Sequence, residues 1–356
     1  MKQPIYTGTW GRCHLQGIAV DQKKGFLYYS FTTKLIKATL DGEIVGSLDG
    51  LVGHLGCIAY CEEDGCVYGS LEYKNDSIGK GILSKLDSDA AFEDSFYIAK
   101  FDVDRIDRED IPAEGSSIMT CVYLSEVVRD YNAEVSDAFG NRISHRYGCS
   151  GIDGLTFAPL PGKTAADGMF LYVAYGVYSD VTRSDNDHQV LLCYDRRELS
   201  LYAAPLDQKN MHTSGPNRPR HKYFFFTGNT RYGVQNLEYD RHTNALLMAV
   251  YTGRKPNFPN FALFAADLSV PAKKVPLAGL DEEGELLSHA PLGDLDADTG
   301  VRGWHFPHGS TGMCALGDGR YYFSEPGRDA ERGQYTNVTL WRATGNPDAP
   351  FERIFL

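Results

Sequence analysis

Apolar and polar positions along this chain alternate in short bursts, and no apolar stripe at helical spacing runs for more than a few turns. Period-two bursts bounded by turn residues predict β-strands. The bursts are also repetitive. One lead-in recurs with drift as "HLQGIAVD" from 14, "HLGCIAY" from 54, "GIDGLTFAP" from 151, "VQNLEYD" from 234 and "HGSTGMCAL" from 308. Each is followed by a turn and a β-branched or aromatic run such as "GFLYYSFTT" or "MFLYVAYGVYSD", and then by a third run such as "LIKATL" or "VLLCYD". Most units add a fourth, as in "EIVGSLD" or "YFFFTG". Five units of about four strands predict an all-β chain folded as a five-bladed β-propeller, with residues 1–356 forming one propeller domain. The run "IYTG" before the first unit matches "FFTG" before the fourth, so the N-terminal strand is expected to join the last blade and close the ring. A pair of β-sandwiches is the alternative reading.

Connection lengths orient the ring. Links from first to second strand are short turns, "DQKKG", "EEDG", "RHTN" and "GDG", whereas "KNDSIGKGILSKLDSDAAFEDS", "SDVTRSDNDHQ" and "EPGRDAERGQYTN" are long and charged. Long loops in a compact domain are commonly functional. One face is therefore elaborated, and the site is expected there.

In a propeller the innermost strand of each blade starts at the axis, so the recurring lead-ins predict that His14, Gln16, His54, Asp153, Gln235, Asn236, Thr311 and His308 converge. Imidazoles and amides at one point suit a divalent ion such as Mn, Zn, Fe or Ca, with His14, His54, Gln235 and His308 as the metal ligands. Cross-linking of blades through hydrogen bonds is the competing role for the same residues. A second constellation is the repeated "RYG", Arg146-Tyr147-Gly148 and Arg231-Tyr232-Gly233, with His145 beside the first. Arginine offers a planar fork to a carboxylate, and Tyr or His can move a proton when its surroundings shift its pKa. His145, Arg146, Tyr147, Arg231 and Tyr232 are accordingly the catalytic candidates. Trp10, Gln16, Lys74, Asp153, Arg254, Trp304 and His305 are the substrate-binding candidates, the tryptophans as stacking surfaces for a sugar.

Composition narrows the function. A formal charge of −12 argues against nucleic-acid and anionic-membrane partners, which call for a basic face. No apolar run approaches the roughly 18 residues of a membrane span. The start "MKQPIYTGTW" lacks the apolar core of a secretion signal, so a cytoplasmic location is expected. The eight cysteines mostly fall inside apolar strand patterns and read as small buried hydrophobes. There is no GxSxG elbow, no P-loop and no dinucleotide fingerprint, so no nucleotide cofactor is expected.

With axial His and Gln residues in a propeller, the chain resembles the carbohydrate-active β-propellers, and among them oligogalacturonate lyases and other propeller lyases acting on uronates. That resemblance implies a divalent ion on residues of the types of His14, His54, Gln235 and His308, with Arg146 or Arg231 as carboxylate partner. Tyr147, Tyr232 or His145 would be the acid or base. Lyases of that group have seven blades against five here, and their ligands cluster in the chain where these are spread around the ring. The implied function is β-elimination on a uronate-containing or otherwise anionic oligosaccharide. Glycoside hydrolysis, lactone or phosphoester hydrolysis on a carboxylate-bound Ca²⁺, and non-catalytic ligand or protein binding remain the alternatives.

Overall fold

A computed structural model describes residues 4–137 and 140–355. The first three residues of the N-terminal segment considered above lie outside the described residues. The chain forms a five-bladed β-propeller. The innermost strands are Gly17–Asp21, His54–Cys61, Cys149–Ala158, Thr230–Asp240 and Met313–Ala315, and each pairs antiparallel with the next strand outward. Blades one to three carry four antiparallel strands and then short added edges, such as Ile111–Pro112 on blade one. Blade four has three strands; its fourth place is taken by single bridges, Leu263 to Trp304 and Ala266 to His289.

Ile5–Thr9 pairs antiparallel with the long strand Gly333–Asn346 of blade five, and Ala349–Arg353 pairs with the other half of that strand. The first and last segments of the chain are thereby knit into one sheet, which removes an exposed edge.

Five apolar clusters lie between neighbouring blades. Leu15, Ile18, Tyr29 and Ile36 of blade one meet Cys314, Tyr322 and Val338 of blade five, and Leu55, Val67 and Leu71 of blade two meet Tyr28 and Leu48 of blade one. The pattern repeats around the ring. All eight cysteines are buried and free, as apolar strand positions require.

The turn-closing Asp of the repeat is structural. Asp21 accepts from the backbone N–H groups of Lys23 and Lys24, while Asp240 accepts from His242 N–H and the Thr243 hydroxyl. Asn236 cross-links three blades: its Nδ2 donates to Gln16 O at 2.9 Å and Ser310 O at 3.3 Å, and its Oδ1 accepts from Met313 N at 3.3 Å. Unpaired buried backbone groups are costly. Asn236→Ala is therefore expected to lower the unfolding free energy by about 1–3 kcal/mol in urea titrations; a change below about 0.5 kcal/mol contradicts the cross-link.

Candidate functional site at the channel mouth

Three of the innermost strands are bulged just inside their starts. The pairing slips by one residue between Leu55 and Ile58, between Ile152 and Leu155, and between Val234 and Asn236. A bulge leaves one residue unpaired and re-aims its side chain. Asp153 and Gln235 fall within these slips, and both line a cavity of about 250 Å³ at the mouth where the strands begin. His14, Gln16 and His54 line the same cavity. Five candidates from four blades are thus brought together, although their sequence positions span more than two hundred residues.

Gln16 Nε2 lies 3.2 Å from both His14 Nε2 and Thr32 Oγ1, and Gln235 Nε2 donates to Tyr232 O at 3.1 Å. The mouth is edged by Tyr232, 40% exposed, whose ring meets Tyr251 edge-on at 5.9 Å. Tyr232 sits at φ +66°, an unfavourable value for an aromatic residue, and Gly233 follows at φ +74°. A side chain at Gly233 would strike the backbone of Tyr175 and Val177, so the turn is held against blade three.

Beneath the mouth lies a buried charged cluster. Lys74 Nζ is 2.6 Å from Glu72 Oε1 and 3.8 Å from Asp76 Oδ2, and it donates to Ser150 O at 2.8 Å. Glu72 Oε1 also faces His54 Nδ1 at 3.3 Å, while its Oε2 accepts from Ile152 N at 3.0 Å. Burial opposes the Glu72 charge, but Lys74 and His54 hold its pKa below the usual carboxylate range. Burial likewise opposes the His54 charge, and Glu72 and Asp153 outweigh it, raising the imidazole pKa. His14 goes the other way: burial, then the neighbouring His54, lower its pKa to about 4, leaving a neutral imidazole.

Asp153 is 8% exposed, and among the described residues its Oδ1 has no hydrogen-bond partner. Burial, only partly offset by His54, pushes its pKa up to about 7. The space for these carboxylates depends on glycine. A Cβ at Gly56 would stand 2.2 Å from Asp153 Oδ1, and one at Gly151 would stand 2.1 Å from Glu72 Oε2.

Several expected residues lie elsewhere. His308 does not line the cavity; its ring packs on Phe306 and Trp341 in blade five. Among the described residues no group of three or more His, Cys, Asp or Glu side chains is arranged to hold a metal ion. The expected ligand set of His14, His54, Gln235 and His308 is therefore not assembled as four: His14, His54 and Gln235 share the cavity wall, whereas His308 packs in blade five outside it.

The first "RYG" faces outward from the mouth. Tyr147 is buried edge-on against Phe224 beneath the Lys222 ammonium, Arg146 reaches Asp130 at 3.7 Å and Glu282 at 3.8 Å, and His145 packs between Tyr131 and Tyr178. In the second, Tyr232 lines the cavity while Arg231 stacks over the Tyr232 ring at 5.5 Å and is not part of the wall. Of the substrate-binding candidates, Gln16, Lys74 and Asp153 are in the cavity wall, although the Lys74 ammonium is taken up by Glu72, Asp76 and Ser150 O. Trp10 is tied to Thr7 O at 2.6 Å, Trp304 is buried in blade four, His305 lies on Phe261, and Arg254 is held through its backbone by Asn229; none lines the cavity.

The cavity also contains Tyr251, Ser150, Gly176 and Ile78, which the lead-ins did not reveal, and Glu72, which they left unplaced. For Glu72, Gly176 and Tyr251 the signal is antiparallel geometry. The second strand of each blade ends where the first begins, so His54 pairs with Glu72, Gly151 with Gly176 and Arg231 with Tyr251.

No family model matches the chain, and no curated protein matches it. Solved structures similar to it include a glucose dehydrogenase (10% identity, TM-score 0.39, over 94% of this chain and 98% of that one). Others are the soluble aldose sugar dehydrogenase of Escherichia coli (9%, 0.38, 93% and 98%) and the hydrazine synthase of Kuenenia stuttgartiensis (11%, 0.35, 98% and 67%). Likenesses at this level carry no argument about activity. No helix among the described residues is long and apolar enough to cross a membrane.

The raised Asp153 pKa has a defined consequence for stability. Between the ordinary value of 3.8 and about 7 the folded state holds a proton that the unfolded state releases. Stability therefore falls across that window as pH rises. Relative to Asp153→Asn, the wild type is expected to lose stability progressively from 3.8 to about 7 and to level off above. Urea unfolding of both proteins across pH measures this, and a pH-independent difference contradicts it.

Proposed function

We propose that the axial cavity is the active site of a carbohydrate-active enzyme in which Asp153 transfers the proton. The observation that carries this reading is a buried carboxyl with an unpartnered oxygen and a pKa of about 7, in the wall of a ligand-sized cavity. A general base works best when its pKa lies near the working pH.

Supporting groups suit a single sugar ring. A cavity of about 250 Å³ lies just below the usual range of ligand pockets, about 300–1,000 Å³, which restricts it to one ring. Gln16 and Gln235 bring amides for hydroxyl groups, and the Tyr232–Tyr251 pair offers an aromatic edge to the apolar side of a ring. The remainder of a longer chain would pass out across the long-loop face.

β-Elimination from a uronate is the chemistry we favour. It needs one base, and it needs positive charge beside the substrate carboxylate as the carbanion develops. Asp153 serves as the base, and His54, whose protonated form Glu72 and Asp153 favour, stands in the same wall. Tyr232, at the edge of the mouth, would protonate the leaving oxygen. Glycoside hydrolysis calls for two working carboxylates. Glu72 is the other carboxylate in the wall, and both its oxygens are already engaged by Lys74, His54 and Ile152 N.

The test is turnover of uronate oligosaccharides, followed by the ultraviolet absorbance of the unsaturated product. Activity is expected to rise with pH through about 7, as Asp153 ionises. Asp153→Asn is expected to lower kcat by at least about 100-fold, with thermal melting kept within a few degrees of wild type. New reducing ends without the absorbance would assign hydrolysis instead, and full activity in Asp153→Asn removes the proposal.

A further inference from the structure

At the opposite end of the axis the innermost strands finish rather than start, and there they enclose a second cavity of about 560 Å³. All five blades contribute to its wall, through Val20, Tyr60, Phe157, Glu238 and Leu316 among others. Most charges at this end are already matched. Arg196 holds Glu63 at 2.7 Å and Asp64 at 3.1 Å, Arg241 holds Glu62 at 3.2 Å, and Asp318 is gripped by Arg320.

Glu238 is the exception. Its Oε1 accepts from Ala315 N at 3.2 Å, and among the described residues its carboxylate forms no ion pair and its other oxygen no hydrogen bond. We propose that this cavity binds a small organic cation of the alkylammonium class, with the charge set against Glu238 and the apolar part against Tyr60 and Phe157. An acid in a cavity with aromatic walls offers both halves of such recognition, the counter-charge and the apolar surface.

Proton linkage makes the proposal testable. Burial raises the Glu238 pKa to about 8, helped by Asp240 and opposed by Arg241 at the end of the same strand. Two further titratable groups stand close by, the thiols of Cys57 in blade two and Cys314 in blade five. Burial lifts Cys57 to about 12 and Cys314 well above the usual thiol range, so both stay protonated. Near pH 7 Glu238 therefore holds its proton, and a bound cation must expel it. Affinity for a cation then rises about tenfold per pH unit up to about pH 8 and levels off above.

Titration calorimetry with butylammonium chloride, in two buffers of different ionisation enthalpy at pH 7 and pH 9, reads both quantities. The expected result is binding with release of nearly one proton at pH 7 and almost none at pH 9, and tighter binding at pH 9. Glu238→Gln is expected to weaken binding at least tenfold and to abolish proton release, while Asp153→Asn at the other mouth leaves both unchanged. Equal binding of butanol, tighter binding of butyrate, no detectable binding of butylammonium, or wild-type affinity in Glu238→Gln would each overturn the proposal. Should Glu238→Gln fail to fold, the wild-type pH dependence and proton count decide alone.

Discussion

Closure of the ring is the constraint on which the rest of the molecule depends. Each sheet buries both faces against its neighbours through five apolar clusters, so no blade has a complete core of its own. Pairing of Ile5–Thr9 with Gly333–Asn346 ties the beginning of the described chain to its end. Radial packing then fixes how near the five innermost strands come to the axis, and that spacing leaves one cavity at each mouth.

Buried charge at the long-loop mouth is tolerable because it is compensated within the cluster. Lys74 is matched by Glu72 and Asp76, and Glu72 is matched again by His54 and Ile152 N. Buried ion pairs of this kind contribute little net stability, since desolvation consumes most of the attraction. Their effect is to place beside Asp153 an ionised carboxylate and an imidazole whose protonated form it favours, while among the described residues Asp153 itself forms no ion pair. Two acids in one cavity with pKa values driven apart is the arrangement that separates an electrostatic role from a proton-transfer role.

Much of this was legible in the sequence, and the parts that were not have physical reasons. Repetition revealed the blades, the closing strand and the convergence of His14, Gln16, His54, Asp153 and Gln235, because equivalent positions in a symmetric ring face the same axis. His308 was misplaced because the fifth innermost strand begins only at Met313, after "GSTG", so the histidine falls short of the mouth. The two "RYG" turns share positive φ at Tyr147 and Tyr232 but not surroundings. Helix Ser125–Tyr131 brings Asp130 to Arg146, and the fourth strand of blade three brings Phe224 to Tyr147, drawing the first turn outward. Glu72 and Tyr251 stayed hidden because strand ends, unlike strand starts, carry no recurring signature in this chain.

The most direct measurement is a carbon-13 NMR titration of the Asp153 side-chain carboxyl in the intact protein, assigned by comparison with Asp153→Asn. The account predicts a midpoint near 7, well separated from surface carboxylates. A midpoint near the ordinary value of 3.8 would mean that the carboxyl is hydrated or paired, and the central claim about the mouth would not stand.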